Sequence, residues 1–427
     1  YTASRFMTIK QHTNRLKSKV TLRKIINKIK WKAKKKWDII RFNREHHLIL
    51  SSLITSQEIK NEDIILYTPT IDWNISLFQR PQHLALQFSK FGYLFFFATP
   101  NYQDRVNGFK KISDNLYITN RYDILLKNLP SNLNKWILIN STNRNITYKT
   151  IRKYKTSGFK IIYDYIDEIT PIISPVKISL DRHKKLTNDD VDLVIATADT
   201  LYKEMVQRFP SEKVLYIPNG VDYTHFKKTR TNAEYPSDLK NIILEKKPII
   251  GYYGAFAKWI DYRLIEYIAE ERKNWNIVLI GPDYDGSIIS MAKKNNIIYL
   301  GQKKYDDLPN YAVWFDVAII PFSNGQIARS TSPLKLFEYM AMNKPVVVTK
   351  DLIECYKYKG VLVGEDYKSF LLKIEEGLQL KDNYEYIKVI DAEARENTWE
   401  KRVIEIDRWM KGKDEYINNI KKSVNGK

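Results

Sequence analysis

A chain of 427 residues exceeds what one ordinary hydrophobic core serves, so two domains of roughly 150 to 200 residues are expected. Hydrophobic residues at 44% and charged residues at 28% suit a soluble globular protein and name no activity, while the lone Cys355 excludes an internal disulfide framework and a cysteine-rich zinc site. The single cysteine fits a reducing compartment, so a cytoplasmic protein is expected, and the absence of any apolar span of about 18 residues argues against a transmembrane helix.

The formal net charge of +21 is unevenly placed, because residues 1–60 hold sixteen Lys or Arg against three Asp or Glu. Within this arm Leu16, Val20, Ile25, Ile26, Ile29, Trp31, Trp37 and Ile40 alternate with dense cations. The pattern suits a helix on an anionic membrane surface, and residues 1–45 are expected to lie on the inner face of the cell membrane. A linker helix from an upstream domain and a nucleic-acid arm share the same charge logic; no nucleic-acid partner is expected. Tyr1 in place of Met reads as the start of an excised or processed piece, with an upstream domain or partner enzyme among the expected partners.

From residue 63 onward, short β-branched or aromatic runs alternate with longer amphipathic segments. Strands are expected over 63–70, 94–99, 136–142, 160–167, 191–198 and 214–218, then over 248–255, 275–281, 296–302, 316–322, 345–349 and 360–364. Their nearly continuous apolar character is that of parallel strands covered on both faces. Helical patterns over 80–91, 199–209, 260–273 and 306–314 separate many of them, which gives an α/β chain of two doubly wound, Rossmann-like domains. Asn219-Gly220 is a turn signal, and the polar stretch beyond it reads as a linker. The expected division is an arm over 1–60, a first domain over 61–225, a linker over 226–245, a second domain over 246–396 and a C-terminal helical segment over 397–427. In that last segment Trp399, Val403, Ile406 and Met410 share a face suited to packing back across the domain junction.

Two doubly wound domains place a cleft at the carboxyl ends of both sheets. The strand 316–322 leads through a loop to "STSPLKLFEYMAMNKPVVVT", where Ser332 reads as an N-cap and Pro333 as the first helical residue. The amides of Thr331, Ser332, Leu334 and Lys335 then lie at an electropositive helix end suited to phosphate. Glu338 shares the inward stripe with Leu334, Phe337 and Ala341. A buried carboxylate needs donors, so it either meets ligand hydroxyls or pairs within the protein.

The segment "DVAIIPFSNGQIARSTSPLKLFEYMAMNKPVVVT" resembles the donor-site signature of GT-B glycosyltransferases of the group 1, or family four, kind. "IIYDYIDE", "ADTLYKEM", "VLYIPNGVDYTHF", "IGYYGAFAKWIDYRLI", "WNIVLIGP", "IIYLGQKKYDDLP" and "ENTWEKR" follow the same resemblance in order, over about residues 63–411. "WNISLFQRPQHLA" is similar to a bacterial cell-envelope subgroup of the teichuronic acid biosynthesis kind.

The resemblance implies a nucleotide-sugar donor held by the second domain and a glycan or lipid-linked acceptor held by the first, with transfer that retains anomeric configuration and needs no metal or other cofactor. By position, Glu338 matches the glutamate that grips ribose, and Thr331, Ser332 and Leu334 match residues whose amides meet diphosphate. Gly254 and Lys258 would approach the phosphates, Lys258 offsetting leaving-group charge, with Lys335 and Arg329 in reserve. Gly281 and Pro282 would line the cleft, and Gln302 would stand near the base. The earlier of two glutamates carried by many members falls at Ser330, which moves the sugar contact to Asn324, Gln326 or backbone amides. Asp167 is the candidate catalytic carboxylate, orienting the acceptor or stabilising an oxocarbenium-like centre, or else capping a helix. Asp72, Trp73, Arg80, His83, Asp164 and Glu168 would line the acceptor side, with Arg80 suited to a lipid-linked phosphate and His83 open to a structural role. Asp283 to Asp285 has the spacing of a metal-binding triplet, but no metal is expected there. A catalytically reduced binding module and a nucleotide-sugar epimerase are the rival readings.

Overall fold

Apolar runs fold here as strands because both of their faces are covered. In the computed structural model the described residues are 63–412, other than 76, 131–132, 144, 170–190, 228–232 and 292. The expected arm over residues 1–60, its membrane contact over 1–45, and the end of the C-terminal segment beyond residue 412 lie outside the described residues.

The first sheet contains β1 (Ile64–Tyr67), β2 (Leu94–Ala98), β3 (Phe109–Ser113), β4 (Leu116–Thr119), β5 (Lys135–Asn140), β6 (Lys160–Tyr165), β7 (Leu193–Ala196) and β8 (Val214–Tyr216). Its order is β3-β4-β2-β1-β5-β6-β7-β8, and all neighbours are parallel except β3 and β4. The β3–β4 hairpin was not among the expected strands. Its outer strand, with Lys110 and Lys111 exposed, lacks the continuous apolar signal of a central strand, and Asn115 at φ 59° closes the turn.

The second sheet contains β9 (Ile249–Tyr253), β10 (Asn276–Ile280), β11 (Ile297–Tyr299), β12 (Val317–Ile320), β13 (Val346–Thr349) and β14 (Val361–Gly364). It is parallel throughout, in the order β11-β10-β9-β12-β13-β14. In each sheet the order reverses next to the first strand, which opens a crevice at the carboxyl ends of the strands.

One face of the first sheet packs against Ile124, Leu125, Ile151, Tyr154, Leu201 and Met205 from helices Tyr122–Asn128, Tyr148–Thr156 and Asp199–Val206. Its other face packs against helix Arg80–Lys90 and against Trp399, Val403 and Ile406 of the C-terminal helix Trp399–Lys411. This last helix, which follows the second domain in sequence, thus completes the core of the first. Burying each such side chain is worth about 1.5–3 kcal/mol, and polar contacts fix the register: Tyr93 donates to Asp407 at 2.5 Å, and the Trp409 indole donates to the Glu212 carbonyl at 2.5 Å. Between the sheets Phe226 and Leu239 are buried in the second core, and helix Lys240–Leu244 forms within the stretch expected as a linker.

Candidate active site

The crevice between the two sheets holds a cavity of about 920 Å³. Its second-domain wall is helix Leu334–Ala341, and two sequence expectations change there. Pro333, at φ −71° and ψ 120°, is the N-cap and not the first helical residue, and no side chain caps the helix. Ser332 is not the cap, because its hydroxyl accepts from the Asn219 amide at 3.1 Å and its carbonyl accepts from the Asn219 side chain at 2.6 Å. The Thr331 amide is spent on the Ala328 carbonyl at 3.3 Å. Thr331, Ser332 and Pro333 line the cavity together with the uncapped helix start at Leu334 and Lys335, where unpaired amides and the helix dipole favour an anion.

Glu338 lies one turn deeper, only 5% exposed, and its carboxylate accepts from the Tyr253 phenol at 2.7 Å. Burial pushes the carboxyl up to about 7, while the Tyr253 bond and the Lys335 ammonium pull the other way. Tyr253 went unnoticed in the sequence because it closes an ordinary apolar strand; only its place at the carboxyl end of β9 marked it.

The loop after β9 passes beneath Lys335. A Cβ on Gly254, which has φ +148°, would stand 2.1 Å from the Lys335 Cε, so the glycine makes room for the lysine stem. The Lys335 ammonium lies 5.7 Å from the centre of the Tyr252 ring and 5.8 Å from that of Phe322, and burial holds it below its ordinary value against the pull of Glu338. Lys258, the expected phosphate cation, is exposed at the cavity mouth, and its amide donates to Asp285 at 3.1 Å. Lys335 is therefore the more enclosed of the two cations.

Four expected donor residues do not line the cavity. A Cβ on Gly281 would meet the Gly254 carbonyl oxygen at 1.8 Å, and the Pro282 carbonyl accepts from Phe256 at 2.9 Å, so both brace the Gly254 loop from behind. Gln302 is exposed outside the cavity. Ser330 is buried, and its hydroxyl donates to the Gln326 carbonyl at 3.0 Å, which turns it into the preceding helical turn. Of the substitutes for it, Asn324 is exposed and Gln326 donates across the cleft to Glu168. Asp283 and Asp285 accept from the Gly286 and Ser287 amides at 2.9 and 3.1 Å, as turn residues do.

On the first-domain side Arg80 and Asp164 form a buried pair, with Nε 3.0 Å from both carboxylate oxygens. Arg80 Nη1 also reaches the Pro218 carbonyl at 3.4 Å and Asn219 at 3.3 Å. Arg80 is thus engaged inside the protein, not free for an acceptor phosphate; its Nη2 alone is without a partner among the described residues. Asn219, read from the sequence as a turn residue, ties this pair to the start of the 334–341 helix. Asp167 lines the cavity, and burial together with the charge of Asp164 raises it to about 6.

The remaining expected acceptor residues have partners within the protein. Asp72 accepts from the Thr99 hydroxyl at 2.5 Å and from the Asn101 and Gln103 amides at 2.8 Å, organising that loop. Trp73 packs edge-on against Phe97 and Phe78. His83 stacks on Trp399 at 4.8 Å, and burial lowers its imidazole to about 3, so it stays neutral. Asp164 is taken by Arg80 and Glu168 by Gln326.

Comparison with known proteins matches residues 247–379 to the family model for group 1 glycosyl transferases. TuaH of Bacillus subtilis (strain 168), named as a teichuronic acid biosynthesis glycosyltransferase, is 29% identical over 164 residues, which are 37% of this chain and 40% of that protein. The match thus spans well under half of the curated relative. Sucrose-phosphate synthase from Thermosynechococcus elongatus has a TM-score of 0.59 at 13% identity, covering 82% of this chain and 98% of its own. Anabaena Alr3699/HepE, solved with UDP and glucose, has a TM-score of 0.58 at 14% identity over 82% and 99% of the two chains. At such identities the solved structures establish the fold, which is GT-B.

Proposed function

We propose, from the match of residues 247–379 to the group 1 glycosyltransferase family model and from the GT-B fold, that this chain moves a sugar from a nucleoside-diphosphate sugar to a surface-glycan or lipid-linked acceptor. The observation that carries the reading is one helix that offers an uncapped start and, one turn deeper, the buried carboxylate of Glu338. The start suits a diphosphate, and the carboxylate can accept from two vicinal ribose hydroxyls. The UDP and glucose bound to the HepE neighbour and the teichuronic acid biosynthesis name of TuaH support the same reading.

When the bond from the anomeric carbon to the diphosphate breaks, the leaving oxygen takes the electron pair. The amides of Leu334 and Lys335 and the Lys335 ammonium stabilise that charge, work done elsewhere by a divalent cation. Asp167 faces the cavity from the other sheet and orients the acceptor hydroxyl. The acceptor oxygen bonds to the anomeric carbon on the face the diphosphate leaves and its proton passes to the departing phosphate oxygen, so configuration is retained, which the anomeric proton coupling of the product tests. The enzyme works at the inner membrane face, held there by residues 1–45.

The position of Ser330, turned away from the cavity, favours a second reading: a nucleotide-sugar binding module with reduced catalysis. A thermal-shift panel of nucleoside diphosphates and their sugars tests the pocket. One base series should raise the melting temperature, by mass action, and a flat panel would overturn both readings. Transfer to an acceptor from the cognate donor separates the enzyme from the module, and free sugar without transfer would favour an epimerase.

A further inference from the structure

Two loops at the rim of the cavity are laced into one piece. The first follows β9 and carries Lys258 and Trp259; the second follows β10 and carries Tyr284 and Asp285. The Phe256 amide donates to the Pro282 carbonyl and the Tyr284 amide to the Phe256 carbonyl, both at 2.9 Å. The Lys258 amide donates to the Asp285 carboxylate at 3.1 Å, and the Tyr262 and Ser287 hydroxyls meet at 2.8 Å. From the far side the Ser323 amide donates to the Trp259 carbonyl at 2.7 Å. Loops bound this closely hold their side chains in place before a ligand arrives, so little conformational entropy is left to lose on binding.

The side chains so held are not used by the fold. Tyr284 is 52% exposed and Trp259 half-buried, and both line the cavity with no aromatic or cationic partner for either ring among the described residues. The Tyr284 phenol has no hydrogen-bond partner there either. Lys258, beside Trp259, is exposed and has no ion pair among the described residues. Asp285, beside Tyr284, is held below the ordinary carboxylate range by its hydrogen bond with Ser287 and stays ionised. The rim therefore presents two unpaired aromatic rings flanked by one donor and one acceptor of opposite charge.

We propose that Trp259, Tyr284, Lys258 and Asp285 form a subsite for a pyranose ring of an oligosaccharide acceptor, a ring removed from the one that reacts. A pyranose has a C–H face that packs flat on an aromatic ring and an equator of hydroxyls that each donate and accept. The Lys258 ammonium can donate to one such hydroxyl and the Asp285 carboxylate accept from another, while the rings cover the face between. The enclosed wall of Tyr253, Lys335 and Glu338 lies deeper in the same cavity, so the donor nucleotide is held inside and the rim is left to the chain that emerges from the cleft. The inference rests on the glycosyl transfer proposed above and adds that the acceptor is a chain of sugars, not a single one.

The test is binding of the full chain to an array of immobilised bacterial glycans and of simple saccharides, from single pyranoses to hexasaccharides, followed by calorimetry on the oligosaccharide retained best. The chain should retain oligosaccharides and not the corresponding single sugars. Tyr284→Ala should lose about tenfold in affinity, which is what uncovering roughly 55 Å² of apolar ring surface is worth, while Tyr284→Phe keeps the ring and should bind as the parent does. Trp259→Leu, which still fills its place against the core, should weaken binding in the same direction. All three variants should keep the rise in melting temperature that nucleoside diphosphate gives, which guards against misfolding; its absence in the parent chain would count against the donor pocket, not the subsite. Retention of no oligosaccharide, or equal affinity of parent and Tyr284→Ala, would overturn the proposal. So would a Tyr284→Ala chain that keeps its glycan but loses nucleoside diphosphate, since the ring would then serve the nucleobase.

Discussion

The Tyr253 phenol donates to Glu338 at 2.7 Å, tying the carboxyl end of β9 to the second turn of the helix that walls the cavity. The bond occupies Oε2 and fixes the carboxylate, while Oε1 has no partner among the described residues. Replacing Glu338 by Ala should weaken nucleoside diphosphate binding by about 1.5–3 kcal/mol, the worth of hydrogen bonds to a charged group. Titration calorimetry reads this directly, and equal affinities for the two chains would remove Glu338 from the ribose role.

The same carboxyl makes binding depend on pH. Its folded value of about 7 stands above its ordinary 4.5, so between those limits the folded chain holds a proton that the unfolded chain has released. This contribution to stability is present in full below about pH 4.5 and is lost as pH rises through 7. Ribose hydroxyls favour the ionised carboxylate, so nucleotide affinity should rise from pH 6 to pH 8, and binding near pH 7 should release part of a proton. Calorimetry in buffers of different ionisation enthalpy measures that release; a value of zero at every pH would mean that Glu338 does not meet the ligand.

Lys335 and Lys258 make different predictions because one is enclosed over Gly254 and the other stands at the cavity mouth. Lys335→Met should lower affinity for the nucleoside diphosphate about tenfold, within the range for a charge-assisted bond, and leave the bare nucleoside unaffected. Lys258→Met should cost much less, since exposed charges are screened. Competition binding with nucleoside and nucleoside diphosphate distinguishes them, and a larger loss for Lys258→Met would reverse the assignment.

Much of this was legible in the chain. Continuous apolar runs such as "IIGYY" and "VVVT" are strands because parallel sheets bury both faces, and the alternation of runs and helices carried the two-domain reading. Glu338 stood out because a carboxylate on an apolar stripe demands a partner. The β3–β4 hairpin escaped because an edge strand with exposed lysines has no such signature. The partners of Asp72, Asp164 and His83 escaped for another reason: each lies far off in sequence, in the loop of Thr99, Asn101 and Gln103, at Arg80 and at Trp399. Residue type and local spacing say that a polar group needs a partner but not whether the partner is a ligand. Asn219 shows the same limit, since a turn signal carried no hint that its side chain joins the two domains.

Gly281 should be the least replaceable glycine behind the site. A Cβ there meets the backbone carbonyl of Gly254 at 1.8 Å, and φ is +148°, so contact and conformation both resist a side chain. Gly281→Ala should cost more than Gly286→Ala, where φ is +78° but nothing lies within 4 Å. The latter loss is the conformational term alone, about 1–2 kcal/mol. Urea denaturation compares the two, and the Gly281 variant should also lose nucleotide affinity because the Gly254 loop shifts under Lys335. Equal stabilities would show that the loop yields freely.

The buried pair of Arg80 and Asp164 separates a structural role from an acceptor role. Asp164→Ala leaves the Arg80 guanidinium buried without its anion, a loss of about 3–5 kcal/mol. Burial outweighs the pull of Arg80 and raises the Asp164 carboxyl above its ordinary value, so the pair gives little net stability, and Arg80→Met with Asp164→Leu should recover much of what the single change loses. Urea denaturation of the single and double variants measures the recovery. The double variant then asks what the unpartnered Arg80 Nη2 does at the cavity wall. If that nitrogen meets the acceptor, the refolded double variant should bind nucleotide normally and transfer sugar poorly; normal transfer would make the pair purely a brace for Asn219 and the helix start.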